Sequence, residues 1–114
     1  MSGLIRVNTQ QTWIGANWVF ERILTGLRKY LPAEGSARII ELIDGIVPGL
    51  NSLSLEHFTP AEMMIFRKAL EAAYDEVFIS GKTAFAEPSF YPGFMAGFEE
   101  LRKMIRTDER SRII

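Results

Sequence analysis

Residues 59–80 read TPAEMMIFRKALEAAYDEVFIS, and no other part of the chain has a start signal, a period and a length that agree so well. Thr59 is a typical N-cap residue, Pro60 suits the first helical position, and Glu62 is placed to complete a capping box. Apolar residues recur at steps of three and four along the stretch, as they do on one face of a helix. The sequence therefore predicts one long amphipathic helix here, with its charged residues on the opposite face.

Three further helices are predicted around this one. The first begins at Ala16 or Asn17 and ends at Leu31, because Pro32 cannot continue it. The second runs from Ala37 to about Val47, and the last begins between Ser89 and Pro92 and ends at about Arg106. Since the second helix is apolar on most sides, we expect it to be the central element against which the others pack.

These elements predict an all-α fold, a compact domain of four helices in two antiparallel hairpins. Residues 1–14 are predicted to form an extended arm, with either a short strand at Leu4–Val7 or no regular structure. Residues 107–114 are charged and are expected to fray. A chain of 114 residues can bury a core without metal or disulfide, so we interpret residues 1–114 as a single domain.

The composition excludes several classes of protein. With 47% hydrophobic and 24% charged residues, the chain is typical of globular proteins and unlike a disordered one. It has no cysteine, which excludes disulfides, thiolate catalysis and cysteine-based metal sites and favours a cytoplasmic location. The start of the sequence contains no signal-peptide pattern, and no stretch approaches the roughly 20 apolar residues that span a membrane.

The charge is nearly balanced overall but uneven along the chain. A net charge of −1 argues against a nucleic-acid partner. From Glu56 to Glu100 there are eight acidic and three basic residues, whereas from Leu101 onward there are five basic and two acidic. This asymmetry either steers a partner or lets the tail neutralise the middle of the chain.

Glu56 and His57 are the one acid–histidine pair that catalysis could use. His57 would act as a general base oriented by a carboxylate. Adjacent residues in an extended segment point to opposite faces, however, so Glu56 is poorly placed to orient the imidazole. We therefore predict a protein that is not an enzyme and keep catalysis by His57 as a third hypothesis.

Neither a metal site nor a cofactor is predicted. With one histidine and no cysteine, the best-spaced candidate ligands are Glu71 and Asp75, one helical turn apart. The Glu-x-x-His motifs that accompany such carboxylates in di-iron bundles do not occur, so a solvated acidic face is the better interpretation. Neither glycine-rich phosphate-binding motif occurs either.

An aromatic cluster marks a candidate binding loop. Phe90 and Tyr91 lie between Pro88 and Pro92, where core packing explains them less well than it explains the phenylalanines of the last helix. Aromatic side chains on a rigid loop beside an acidic helix are typical of a binding hot spot. The alternative is a loop that folds back to cover the core.

By elimination, the sequence favours a protein-binding module. The specific hypothesis is a bacterial immunity protein or inhibitor that binds and blocks a cognate toxin, in which acidic side chains pair with a basic toxin surface and the aromatic rings provide the anchor. This resembles the general type of small helical immunity proteins, although no motif identifies a family. The predicted partner-binding residues are Glu71, Asp75, Glu76, Phe90 and Tyr91.

The alternative from another class is a self-associating structural or regulatory subunit. It would form a homodimer through the apolar second helix or through the face that carries Gly93 and Gly97. The two hypotheses differ in a measurable way. Self-association makes the mass and the melting temperature depend on protein concentration, whereas inhibition depends on the acidic face of the long helix.

Overall fold

The computed structural model describes residues 2–47 and 49–112. The described chain is 62% helical and 12% strand. Its strands and helices, in chain order, are β1 (Ser2–Arg6), β2 (Thr12–Ala16), α1 (Asn17–Arg28), α2 (Ala37–Asp44), β3 (Ser52–Ser54), α3 (Pro60–Ser80) and α4 (Tyr91–Thr107). Short 3-10 turns at Gly81–Ala84, Pro88–Phe90 and Glu109–Arg112 follow α3, precede α4 and follow α4.

A three-stranded mixed sheet makes the all-α prediction wrong. Its strand order is β2-β1-β3, with β1 antiparallel to β2 and parallel to β3. Ile5 at the centre of β1 lies opposite Trp13 on one neighbour and opposite Leu53 on the other. The strands have only three to five residues each and the β1–β3 pairing joins distant parts of the chain, so the local sequence indicates at most one short strand and not the sheet. The fold is mixed α/β with mostly helical content.

The N-terminal segment is part of this sheet instead of a loose arm. Residues of β1 are paired on both sides, and the alternative of a short strand near Leu4–Val7 is close to what the structure has. The turn between β1 and β2 is held by Asn8, whose side-chain oxygen accepts hydrogen bonds from the backbone N–H groups of Gln10 and Gln11, both at 2.8 Å. Such turns are a common role of asparagine.

The core lies where the sheet, α1, α3 and α4 meet. α1 contacts both the sheet and α3, and α4 contacts α3 and β2. Gly3 permits the close approach of β1 to α1, because a Cβ at this position would collide with the side chain of Phe20. The largest fully buried side chains are Trp13, Phe20, Phe66, Phe94 and Phe98.

The second helix is peripheral, so the expectation that it forms the centre is wrong. Within α2 only Ile39 is buried, and Leu42 is 40% exposed. The apolar residues of a helix indicate that it could be buried, but they do not show whether another element of the fold covers it. Arg28 and Asp44, the last residues of α1 and α2, pair with each other, so α1 and α2 do not form an antiparallel hairpin and the prediction of two such hairpins is wrong.

The third helix begins as the sequence predicts. Glu62 N–H donates to the Thr59 hydroxyl at 3.1 Å, and the Glu62 carboxylate accepts from the Thr59 N–H at 2.9 Å, which completes the capping box. α4 runs antiparallel to α3: Glu71 contacts Arg102, whereas Tyr74, one turn later, packs on Phe98. This antiparallel pair positions the predicted binding residues.

The segment after α4 folds back onto the molecule instead of fraying. Its centre is Arg110, whose guanidinium donates to the carbonyl oxygens of Leu55 at 2.6 Å, Val7 at 2.7 Å and Phe58 at 3.1 Å. Arg110 also pairs with Asp108, which is 4% exposed. Burial acts to raise the pKa of Asp108, but hydrogen bonds from Arg110 and Asn8 outweigh it, and the pKa is lowered. Ile113 and Ile114 lie outside the described residues.

Candidate functional site

Glu71, the first of the predicted acidic residues, is neutralised within the molecule. Arg102 of α4 donates from Nε and Nη2 to the two carboxylate oxygens of Glu71 at 2.8 and 2.9 Å. The same guanidinium pairs with Glu99, and Arg106 donates to Glu99 at 3.1 Å. The hydrogen bond from Arg102 lowers the pKa of Glu71, and the contact raises the pKa of Arg102. At Glu71, the basic segment that begins at Leu101 therefore neutralises the acidic segment 56–100, as one of the two interpretations of the uneven charge predicted.

The other two acidic residues differ from each other. Lys29 at the end of α1 donates to the Glu76 carboxylate at 3.0 Å, and this hydrogen bond lowers the pKa of Glu76. Asp75 is exposed, and across the described ranges 2–47 and 49–112 its carboxylate has neither an ion pair nor a hydrogen bond. A partner's cation can therefore approach Asp75 without displacing a cation of this chain.

Phe90 and Tyr91 point to different neighbours. Phe90 is 55% exposed and packs against Trp18, with ring centroids 5.5 Å apart, while Trp18 stacks on the buried Phe94 at 5.8 Å. Tyr91 is half-buried and meets the buried Phe85 edge-on at 5.9 Å. Tyr91 therefore helps to cover the core, whereas Phe90 presents its ring to solvent, and the role of both residues in binding stays a prediction.

The predicted residues do not form one continuous contact set. Glu71 faces α4, Glu76 faces α1 and Phe90 contacts the start of α1. Sequence reasoning also missed exposed apolar residues, above all Phe78 at 61% and Ile79 at 84% exposure in the last turn of α3. A helical wheel provides the signal, because neither residue lies on the face that carries the buried residues of α3.

His57 lies in the lining of an open cleft. The cleft has a volume of about 870 Å³ and is lined by the β1–β2 turn, by residues 56 and 57 and by residues 107–110. The Glu56 carboxylate pairs with Arg6, which gives it a partner other than the imidazole. Asp108, also in the lining, is held by Arg110 and Asn8. Catalysis by His57 stays an untested hypothesis.

Neither a membrane-spanning helix nor a cluster of metal ligands occurs among the described residues. Within residues 2–47 and 49–112, none of the helices combines the length and the hydrophobicity that a bilayer crossing requires. The described side chains contain no group of three or more histidine, aspartate or glutamate residues arranged as metal ligands.

Comparison with known proteins finds a similarity of fold. No protein-family model matches the chain, and no curated protein matches it in sequence. The fold is similar to that of the immunity protein in the solved structure "CdiA-CT toxin from Burkholderia pseudomallei E479 in complex with cognate CdiI immunity protein". The TM-score is 0.74, the alignment covers 96% of this chain and 98% of that chain, and the sequence identity is 15%. The similar protein is thus one that binds a cognate toxin.

Proposed function

We propose that this chain is an immunity-type protein that binds a toxin domain and blocks it by covering its active surface. The observation that carries the proposal is the fold, which matches an immunity protein over nearly the whole of both chains with a TM-score of 0.74. The sequence did not predict this mixed sheet. The match of fold is therefore independent of the acidic helix face and the aromatic loop, on which the inhibitor hypothesis was based. The chain acts by occlusion and carries out no chemistry itself.

The charge distribution supports a basic partner surface. Residues 56–100 carry eight acidic side chains, of which five pair with cations of this chain, so the negative charge offered to a basic partner comes from unpaired carboxylates such as Asp75. Asp75 and Phe90 are the sequence-predicted contacts that are available as they stand, one as an unpaired carboxylate and the other as an exposed ring supported by Trp18. Glu71 and Glu76 would first have to exchange their internal cations for those of the partner.

A growth experiment tests the proposal. Toxin domains encoded in the genome of origin are each produced in bacteria with and without this chain, and we expect the chain to restore growth against its cognate toxin. Asp75→Lys should weaken that protection, whereas Glu100→Lys, an exposed carboxylate on α4 with no ion pair among the described residues, should not. A wild-type chain that neither restores growth nor binds any of these domains would refute the proposal.

A second candidate is the self-associating subunit, and one observation favours it. The face of α2 and its following connector exposes apolar side chains, with Leu42 at 40%, Val47 at 55% and Leu50 at 71% exposure. Contiguous apolar surface on a small protein often marks an interface. Light scattering over a range of protein concentrations separates the two candidates, since this one requires a dimer mass that Leu42→Ser lowers.

A further inference from the structure

The last turn of α3 exposes two large apolar side chains side by side. Phe78 is 61% exposed and Ile79 is 84% exposed, whereas the buried residues of α3 end at Ala73. Burying a side chain of this size contributes on the order of 1.5–3 kcal/mol to the free energy of folding. Because Phe78 and Ile79 are mostly exposed, the fold gains little of this free energy from either side chain. Their exposure therefore has to be explained by something other than the stability of this chain.

Phe78 is held in place although it is exposed. Its ring stacks on Tyr74 with centroids 6.1 Å apart and an interplanar angle of 17°. Tyr74 in turn meets the buried Phe98 edge-on at 5.2 Å, and the guanidinium of Arg102 lies 3.8 Å from the centre of the Tyr74 ring. A ring fixed in this way loses little conformational entropy when a partner covers it, which is the property of a good anchor.

An unpaired carboxylate lies beside this apolar pair. Asp75 precedes Phe78 by three residues and Ile79 by four, so the three side chains are neighbours on one surface of the helix. Arg102 and Lys29 neutralise Glu71 and Glu76, one on either side of Asp75 along the helix. Among these three acidic side chains, the carboxylate left free for a partner is therefore that of Asp75, which shares a groove with the exposed Lys68.

We propose that Asp75, Phe78 and Ile79, named here the α3 patch, are the anchor by which this chain holds its toxin. The partner complementary to the patch is a protein surface with an apolar pocket for Phe78 and Ile79 and a lysine or arginine at its rim for Asp75. This inference rests on the proposed function and specifies its contact. It moves the aromatic anchor from Phe90 and Tyr91, which the sequence favoured, to Phe78 in the last turn of α3.

A second copy of this chain fits the patch less well. Two patches packed face to face in register would bring two Asp75 carboxylates together, and none of the three patch residues is a cation. Like charges in a desolvated contact oppose association. A basic partner supplies the missing charge, so we assign the patch to the toxin and not to self-association.

The test measures the dissociation constant for the toxin domain identified by growth rescue, purified in a catalytically inactive form. The double variant Phe78→Ser/Ile79→Ser should bind at least about 100-fold more weakly than wild type, since truncating hot-spot residues has effects of this size. Leu50→Ser, which removes an equally exposed apolar side chain from the connector before β3, should bind within about threefold of wild type. Circular dichroism of each variant confirms that it is folded.

Asp75 is tested by the salt dependence of the same affinity. Asp75→Asn should weaken binding and flatten its decline between about 50 and about 300 mM salt, because screening acts on the charge that the substitution removes. Glu100→Gln is the matched control and should leave both the affinity and the salt dependence unchanged. An Asp75→Asn variant that retains the wild-type salt dependence would contradict the charged part of the patch.

The outcomes separate the inference from the proposed function. If the wild-type chain binds a toxin and the double variant binds it equally well, the α3 patch is refuted and the proposed function stands. The patch is also refuted if Phe90→Ala weakens binding more than the double variant does, or if the double variant changes the oligomeric mass of the chain itself. If the wild-type chain binds no toxin, both are refuted together.

Discussion

The two ends of α3 use their side chains differently. At the N-terminal end, Thr59 and Glu62 complete a capping box. The Arg110 guanidinium holds the preceding segment by hydrogen bonds to the carbonyl oxygens of Leu55 and Phe58, and it also donates to that of Val7. At the C-terminal end, Phe78 and Ile79 extend into solvent. The fold thus satisfies the polar groups at the N-terminal end of α3 but leaves the apolar side chains at its C-terminal end exposed.

This difference separates residues that stabilise the fold from residues that are available to bind a partner. Residues that satisfy buried polar groups cannot be exchanged for partner contacts without unfolding. Residues that the fold leaves uncovered can be changed at little cost to folding, and proteins that must distinguish partners vary at such positions. The comparison predicts that substitutions at the cap and at the buried positions of α3 lower the stability, whereas substitutions in its exposed last turn do not.

The largest loss of stability is expected from Arg110→Ala. This change removes one donor from the Asp108 carboxylate, which keeps that of Asn8, and removes the guanidinium from the carbonyl oxygens of Val7, Leu55 and Phe58. Breaking one partner of a buried pair costs about 3–5 kcal/mol, and urea unfolding measures it. Lys103→Ala, at an exposed position seven residues earlier, is the control and should change the free energy of unfolding by less than about 0.5 kcal/mol. If Arg110→Ala changes the free energy of unfolding as little as Lys103→Ala does, the N-terminal end of α3 is not the more important end for stability.

A smaller loss is expected at the cap of α3. Thr59→Ala removes the oxygen that accepts the Glu62 N–H, and a lost N-cap costs about 1 kcal/mol. Thr59→Ser retains the acceptor and should recover most of the stability in the same unfolding experiment. If Ser and Ala are equivalent at this position, the capping box does not stabilise the helix.

Midway along α3, protonation of Glu71 should have a still smaller effect. Its pKa is lowered by Arg102, so the pair is fully effective above the unfolded-state pKa of about 4.3 and its contribution is lost as the pH falls through the lower folded-state pKa. Because Glu71 is partly exposed, we expect a contribution of roughly 0.5 kcal/mol. Glu71→Gln should therefore be less stable than wild type at pH 7 and equal to it near pH 2. A difference that persists at low pH would mean that the ion pair is not its cause.

The sequence determined the helices better than their arrangement. The prediction for α3 is confirmed at Thr59 and at Ser80, because the cap, the proline and the period are local signals. The sheet was missed although β1 and β2 form a local hairpin, because its strands have only three to five residues and its third strand, β3, lies beyond two helices in the chain. The same limit applies to the site: the cations that pair with Glu71 and Glu76 come from other helices, so a face that is acidic in sequence is partly neutral in the structure.

The smallest effect on stability is expected from Ile79→Ser. The side chain is 84% exposed, so its removal takes little apolar surface out of the core, and the free energy of unfolding should change by less than about 0.5 kcal/mol. Ala73→Ser, at a buried position six residues earlier on the same helix, is the matched control and should destabilise the protein measurably, because its hydroxyl enters the core. If Ile79→Ser destabilises the protein as much as Ala73→Ser does, then Ile79 contributes to the fold of this chain. Its exposure would then no longer argue that the C-terminal end of α3 is reserved for a partner.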